Sequence, residues 1–384
     1  MSADEFLSKY WRQQYLYCRG SKERFDGLLS WRALNELLEH HWRETHRFRL
    51  ALQGRDLDPA SYADCAGPTP RIRAKDVTNH LRRGATLSFD AIDELHWPVR
   101  HLAESFEALF RGSTKINAYA AWRALHGLDL HRDNEEIFIL QLNGTKRWLL
   151  YGSSIDGVDR TELKNRSVPP AGALLDQILR PGDLLYVPRG CYHVALPMNE
   201  PVLHLTLGVR NPRGMNILQW MVDRFRASAI ADRDLPGLAA PAERLQYSEE
   251  LRSTLLEGLA PDLVEQYFSE TDSNFTSRPS FNLPWSATPD LLPPGREFLI
   301  RLTTHSSRLA NSPDVRVIEL RCAGRRYRFP SSMQWVIEQL GDGAQVPMGR
   351  LLDALEARLD EGTVRLLVAM LVKSDLAAIS ARPA

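Results

Sequence analysis

Residues 128–152, LDLHRDNEEIFILQLNGTKRWLLYG, change character at Glu136. Before that point the chain is polar and carries His131 and Asp133 one residue apart. After it come two apolar runs, EIFILQLN and KRWLLYG, joined at Asn143-Gly144, a strong hairpin signal. Similar short runs lie at 115–122 (KINAYAAW), 182–197 (GDLLYVPRGCYHVALP) and 201–209 (PVLHLTLGV). Short strands in this succession, broken by turn residues, predict a double-sheet antiparallel barrel of the jelly-roll kind.

Outward from this β-rich stretch the periodicity becomes helical. Residues 6–14 form a short amphipathic pattern, followed by YLYCRG at 15–20, a strand and turn. Residues 31–41 and 98–110 predict helices. In the second, Val99, Leu102, Phe106, Leu109 and Phe110 share a stripe, and Gly112 stands where it should stop. Beyond Pro212, one stripe consists of Met215, Leu218, Met221, Val222 and Phe225. Another holds Tyr247, Leu251, Leu255 and Leu259 and continues through Leu263, Val264, Tyr267 and Phe268. Residues 270–295 are rich in Ser, Asn and Pro, a linker or an ordered surface loop. The last part alternates as a hairpin at 317–329 around Ala323-Gly324, then turns helical at 331–340, 348–359 and 361–372. That order fits a small α+β module of winged-helix type. The domains expected are 1–211, 212–295 and 296–384, with no internal repeat.

Composition narrows the class. Lys plus Arg and Asp plus Glu both number 48, so no net field favours nucleic acid or an anionic membrane. In the last module only Arg321, Arg325, Arg326 and Arg328 cluster as a basic group, which is thin support for a nucleic-acid-binding regulator. The four cysteines show no CxxC spacing, arguing against a disulfide framework or a structural zinc site. The first twenty residues lack a signal-peptide core, and no run approaches the roughly 20 apolar residues of a membrane span. A cytoplasmic location is expected.

The chemistry resides in His131, Asp133 and His193. On an extended segment, residues two apart leave from the same face. His193 arrives from a second β segment after a Pro-Arg-Gly turn. A lone His-x-Asp triplet is a common accident in a chain of this size. Its position before a β run, with a histidine 60 residues on in another, gives it weight. Two imidazoles and a carboxylate on one side of an octahedron leave three adjacent positions, enough for a bidentate 2-oxo acid and dioxygen.

The two segments HRD…EEIFILQLNGTKRWLLYG and RPGDLLYVPRGCYHVALP resemble the JmjC/cupin ribosomal oxygenases, a family of protein hydroxylases. That family carries HxD followed by Q-x-x-G-x-[KR]-x-W, then G-D-x-L-Y-[VI]-P-R-G…H. The opening FLSKYWRQQYLYCRG is similar to the family's first segment. Some 200 residues resemble it in sequence, and the remainder in architecture. The resemblance implies a mainly β double-stranded β-helix (jelly-roll, cupin/JmjC), a helical dimerisation region, a C-terminal winged-helix-like α+β module and a homodimer. It implies Fe(II) held by His131, Asp133 and His193, with 2-oxoglutarate and dioxygen as co-substrates. It makes Lys146 the cation for the distal carboxylate of 2-oxoglutarate, and places Asn117 and Tyr119 in the co-substrate pocket. A dicarboxylate fixed on metal at one end does need a buried counter-charge at the other.

The activity implied is hydroxylation of an amino-acid side chain in a protein or peptide, with a ribosomal protein as the family's substrate. Two departures bear on the substrate. Arg132 occupies the middle of the triplet, where the family usually has an apolar or aromatic residue, and AAWRALHGLDLH (120–131) replaces a Pro- and Gly-rich approach. They leave open an oxygenase of the same build acting on a natural-product peptide precursor. A non-catalytic metal-binding cupin that docks a partner is the rival of another class. Cys191 shares parity with His193 and reads as a packing thiol. Trp148 reads as core. His126, Asp129 and His204 lack the pairing that His131 and Asp133 show.

Overall fold

The structure, a computed structural model, describes every residue except 68–69, 154–171, 275–277, 289–291, 304–308, 312–315, 323, 342–344 and 381–384. The chain divides into two units, Met1–Asn211 and Pro212–Ala384.

In the first unit the strands are β1 (Leu16–Cys18), β2 (Phe48–Leu52), β3 (Arg55–Asp56), β4 (Ala63–Asp64), β5 (Arg71–Ile72), β6 (Thr86–Phe89) and β7 (Ser113–Ala121). They continue with β8 (Glu136–Asn143), β9 (Lys146–Ser153), β10 (Leu175–Leu179), β11 (Leu184–Val187), β12 (Cys191–Pro197) and β13 (Val202–Arg210). One sheet has eight strands in the order β1-β11-β8-β13-β7-β6-β2-β3; a second has three, β10-β9-β12. The mixed fold thus has the double-sheet core expected of a cupin.

The run EIFILQLN makes β8 the centre of the larger sheet, buried on both faces, which is why it reads as nearly continuous apolar sequence. Phe138, Leu140 and Leu142 pack with Phe6, Phe110 and Tyr186 on one side. Ile137 and Ile139 pack with Trp148, Leu150 and Leu185 on the other. The helices α1 (Ala3–Lys9), α2 (Trp31–His40), α3 (Ala74–Arg82) and α4 (Trp97–Phe110) belong to this unit. Ser2 and Ser30 cap the first two by accepting from Glu5 and Ala33 backbone N–H groups. The first helix ends before residue 14 because Arg12 takes a left-handed φ of 60° and its N–H donates to Tyr186 Oη at 2.9 Å. At the end of α4 the left-handed residue is Arg111, one before Gly112.

The expected hairpin at Asn143-Gly144 is not one. β8 pairs with β11 and β13, whereas β9 pairs with β10 and β12, so the turn carries the chain from one sheet to the other. Gly144 has φ +63° and lies so close to β13 that an added Cβ would fall 2.1 Å from the Pro201 carbonyl oxygen. The same crossing recurs at Gly190 (φ +81°), between β11 and β12. Turn chemistry announces a reversal but does not say whether the next strand pairs or crosses. Strands β2 to β6 and helix α3 had no expectation at all; of these, β3, β4 and β5 are two residues each, too short for periodicity to speak.

The second unit contains α5 (Gly214–Phe225), α6 (Pro241–Glu257) and α7 (Leu263–Asn274). On α5, Met215, Leu218 and Val222 are all more than half exposed. Then follow β14 (Leu299–Leu302), β15 (Leu309–Asn311), β16 (Val317–Cys322), β17 (Arg325–Pro330), α8 (Met333–Leu340), β18 (Val346–Pro347), α9 (Met348–Leu355), α10 (Glu361–Lys373) and β19 (Ala377–Ser380). They form the sheets β18-β14-β19 and β15-β16-β17 around a core that includes Ile300, Met333, Val336, Leu351 and Val368. Ala323 lies outside the described residues, and Gly324 beside it has φ +69°. Within the 270–295 segment, buried Asn282 donates to Ala377 O and accepts from Ile379 N–H, tying that stretch to β19. Among the described residues no helix is long and apolar enough to cross a membrane.

If Gly144 is required for the crossing, Gly144→Ala should lower unfolding free energy by about 2 kcal/mol or more, from a disfavoured φ plus the clash at Pro201. Urea denaturation of the two proteins measures it.

Candidate metal centre

His131 and Asp133 lie in the extended segment just before β8, and His193 lies in β12. His131 and His193 exchange both backbone hydrogen bonds: His131 N–H donates to His193 O at 3.1 Å, and His193 N–H donates to His131 O at 2.8 Å. The N–H of Gly190 donates to Asp133 O at 2.9 Å. Strand parity then turns His131, Asp133 and His193 toward one point, with one ligand atom from each lying within 4.8 Å of the others. Asp133 Oδ1 is 4.0 Å from His131 Nε2, and its Oδ2 is 3.6 Å from His193 Nε2.

Both imidazoles are oriented from behind. His131 Nδ1 lies 2.8 Å from Asp129 O, and His193 Nδ1 lies 3.1 Å from Cys191 O. A carbonyl can only accept, so both Nδ1 atoms carry the proton, and the nitrogens turned to the common point are the Nε2 atoms, the ones available to a metal. Burial, with repulsion from His131, holds His193 down at about 4, so its imidazole is neutral at ordinary pH. Two imidazoles and a carboxylate fit a divalent transition metal, and the donor set matches the open two-His, one-carboxylate arrangement of Fe(II) oxygenases.

A narrow pocket leads from this point into the barrel, lined also by Lys146, Trp148, Tyr119, His204, Thr86 and Thr206. Lys146 opens β9 and is only 5% exposed. Among the described residues it has no carboxylate partner; its Nζ lies over the Trp148 ring, 5.7 Å from the centroid. Burial lowers its pKa to about 7. Tyr119 stacks on His204, centroids 5.1 Å apart at 10°. Burial and the nearby Lys146 push His204 well below the usual histidine range, and its Nδ1 has no hydrogen-bond partner. An acid with two carboxylates, one chelating the metal and one facing Lys146, fits these donors.

The sequence reading passed over His204. The signal was there: on PVLHLTLGV, His204 and Thr206 share one parity and Leu203, Leu205 and Leu207 the other, and the leucines fill the core behind the sheet. Asn117 does not line the pocket; its Oδ1 accepts the N–H of Ala91 at 2.9 Å. Cys191 is buried, donates to Tyr151 O at 3.0 Å, and has its thiol pKa pushed up to about 11 by burial, so it stays an unreactive packing residue. Trp148 is buried as expected and also walls the pocket. His126, dismissed from sequence, pairs with Asp129 at 2.8 Å. A larger cavity of about 880 Å³, lined by Trp31, Trp42, Trp122, Leu34 and Phe48 among others, shares no residue with the metal pocket.

Residues 89–217 match the family model of the JmjC domain. Among curated proteins, the chain is 29% identical over 241 residues to the bifunctional lysine-specific demethylase and histidyl-hydroxylase NO66 of Drosophila grimshawi, covering 60% of this chain and 32% of that protein. It is 25% identical over 271 residues to the ribosomal protein uL16 3-hydroxylase of Escherichia coli, covering 61% of this chain and 70% of that one. The chain therefore spans about a third of the NO66 relative. Among solved structures, the ribosomal oxygenase YcfD of Escherichia coli matches with a TM-score of 0.57 at 20% identity, over 99% of this chain and 98% of that one. The same protein in complex with cobalt and 2-oxoglutarate matches with a TM-score of 0.59 at 19% identity, over the same shares. At those identities the structural likeness is one of fold.

A lysine whose pKa is about 7 folded and 10.5 unfolded makes stability depend on pH. Between those values the unfolded state holds the proton and the folded state does not, so stability contributed by this group rises with pH across about 7 to 10.5. Without ligand, Lys146→Met should be more stable than the native protein at pH 7 by a few kcal/mol, on the order of the shift itself, and should lack that rise. Chemical denaturation at several pH values tests both signs.

Proposed function

We propose that this chain, a JmjC-domain protein related to the ribosomal oxygenases, is an Fe(II)- and 2-oxoglutarate-dependent oxygenase that hydroxylates an amino-acid side chain in a protein or peptide. The observation that carries the reading is the pairing of two features in one pocket. Two imidazole Nε2 atoms and a carboxylate converge at its mouth, and a buried lysine without an anion lies within.

His131, Asp133 and His193 would hold the metal, leaving adjacent positions open on the side facing the pocket. When bound, Fe(II) with 2-oxoglutarate and dioxygen supplies an oxidant strong enough for an unactivated C–H bond. The protein's share is placement. Asp129 O and Cys191 O keep the two imidazoles in the ligand tautomer. Lys146 meets the distal carboxylate of the co-substrate and regains its full charge there. Trp148 and the Tyr119–His204 stack wall the pocket and keep water from the chelated end.

The NO66 and uL16 hydroxylase relatives, by their names, act on protein side chains, and a ribosomal protein is the first substrate to test. Arg132 and the 120–131 segment favour a second reading, the same chemistry on a different peptide. We assign 1–211 as the catalytic domain, 212–295 as a helical dimerisation region and linker, and 296–384 as a winged-helix-like domain, in a cytoplasmic homodimer. The exposed Met215, Leu218 and Val222 on α5 support self-association.

Four measurements decide the matter. The purified protein supplied with Fe(II) should convert 2-oxoglutarate to succinate, and His131→Ala, Asp133→Ala and His193→Ala should each abolish this while circular dichroism stays unchanged. Lys146→Ala should raise the apparent KM for 2-oxoglutarate roughly a hundredfold, the effect of about 3 kcal/mol from an unpaired buried charge. Turnover indifferent to all four variants rejects the site. Bacterial ribosomes should gain the mass of one oxygen in a single protein; if they do not, the other peptide reading takes precedence. Sedimentation at micromolar concentration should report a dimer.

A further inference from the structure

The segment bearing His131 and Asp133 belongs to neither sheet. It is joined to β12 by one rung, the reciprocal His131–His193 pair, and by the Gly190–Asp133 bond. The ladder does not run on: the N–H of Cys191 turns back to Pro188 O at 3.2 Å, and β12 shifts register against β9 between Cys191 and His193. The rung keeps the register of the β8–β11 ladder, in which Ile137 stands opposite Val187, but the pairing is interrupted at the turn between them, and a slip of one residue there would put Arg132 in place of both ligands on the metal-facing side.

The reverse face of that rung carries a second contact. With His131 opposite His193, Arg132 stands opposite Tyr192, and alternation turns both side chains away from the metal point. The Arg132 guanidinium carbon lies 5.1 Å from the centroid of the Tyr192 ring, which is only 5% exposed. A cation over a buried tyrosine face is an attractive cross-strand pair, and it exists only in the register that aims His131 and Asp133 inward.

We propose that Arg132 and Tyr192 are a positioning pair that locks the ligand segment in register and thereby sets the affinity of the metal site. The inference rests on the metal-centre reading and adds residues that touch neither metal nor co-substrate.

The test is equilibrium Co(II) binding to the chelator-stripped full chain, followed by visible absorption, with no turnover required. Arg132→Met keeps the packing stem and removes the charge; Tyr192→Leu removes the ring. Each should weaken Co(II) binding about tenfold, as loss of a contact behind the ligands does. The double variant should lose no more than either single one, because both remove the same interaction. Tyr192→Phe keeps the ring and should bind as the native protein does. Native affinity in Arg132→Met, or losses that simply add in the double variant, overturns the pair. If native protein binds no Co(II), or His131→Ala binds it equally well, the metal-centre reading itself fails, an outcome distinct from failure of the pair alone.

Discussion

The two hydrogen bonds exchanged between His131 and His193 carry the antiparallel pairing of β8 with β11 past the crossing turn and onto the segments that bear the ligands. Everything chemical at the site depends on that rung. Gly190 supports it from the crossing turn, giving its N–H to Asp133 O in a left-handed conformation that a β-branched residue would resist. Glu136, the first residue of β8, anchors the other end: buried, it accepts from Tyr186 Oη at 2.6 Å and from the N–H of Arg189 at 3.2 Å. The turn that delivers one ligand and the strand that follows the other two are thus fastened to the same carboxylate. Arg12 of the N-terminal segment, 3.8 Å from Glu136, joins this junction as well.

Lys146 imposes the second constraint. A cation pressed into the barrel among Trp148, Tyr119 and His204 carries a desolvation penalty that packing does not relieve. His204 stays neutral beside it because burial and the lysine act in the same direction. A site in which one cation is destabilised and its histidine neighbour uncharged favours an anion with net negative charge at that end. The triad at the mouth demands a chelating group at the other. Together these fit an anion that chelates at one end and is charged at the other, as a dicarboxylate with a 2-oxo function is.

What the sequence made legible follows from where its signals are strong. The metal-facing residues sit on strands of five or more residues or two apart in an extended segment, where parity is readable, so the three ligand candidates could be named beforehand. Lys146 and Tyr119 were reached through likeness to a family, and the pocket brings both to its lining; Asn117 came by the same route and is engaged instead with Ala91. His204 was missed because a histidine among leucines reads as core until the strand's two faces are assigned. The Asn143-Gly144 turn misled for a different reason. The tight backbone it demands is the same whether the following strand pairs or crosses, and only the partners of β8 and β9 distinguish the two. Short strands such as β3, β4 and β5 are two residues long and offer no period to detect.

The approach segment 120–131 is not loosely held. Gln53 and Gly54, at the turn between β2 and β3, donate their N–H groups to His126 O and Gly127 O at 2.9 and 3.0 Å. An added Cβ on Gly54 would fall 2.0 Å from the Asp129 carboxylate, and one on Gly127 would fall 2.4 Å from Thr86, so two glycines permit the close fit. Asp129 in turn presents the carbonyl that orients His131. This segment is fixed by clasping a neighbouring hairpin. Side-chain substitutions here, at exposed positions such as Arg123, then leave in place the backbone that aims the ligand. The hydrogen bonds that aim His131 and hold this segment come from backbone atoms and survive changes of side chain.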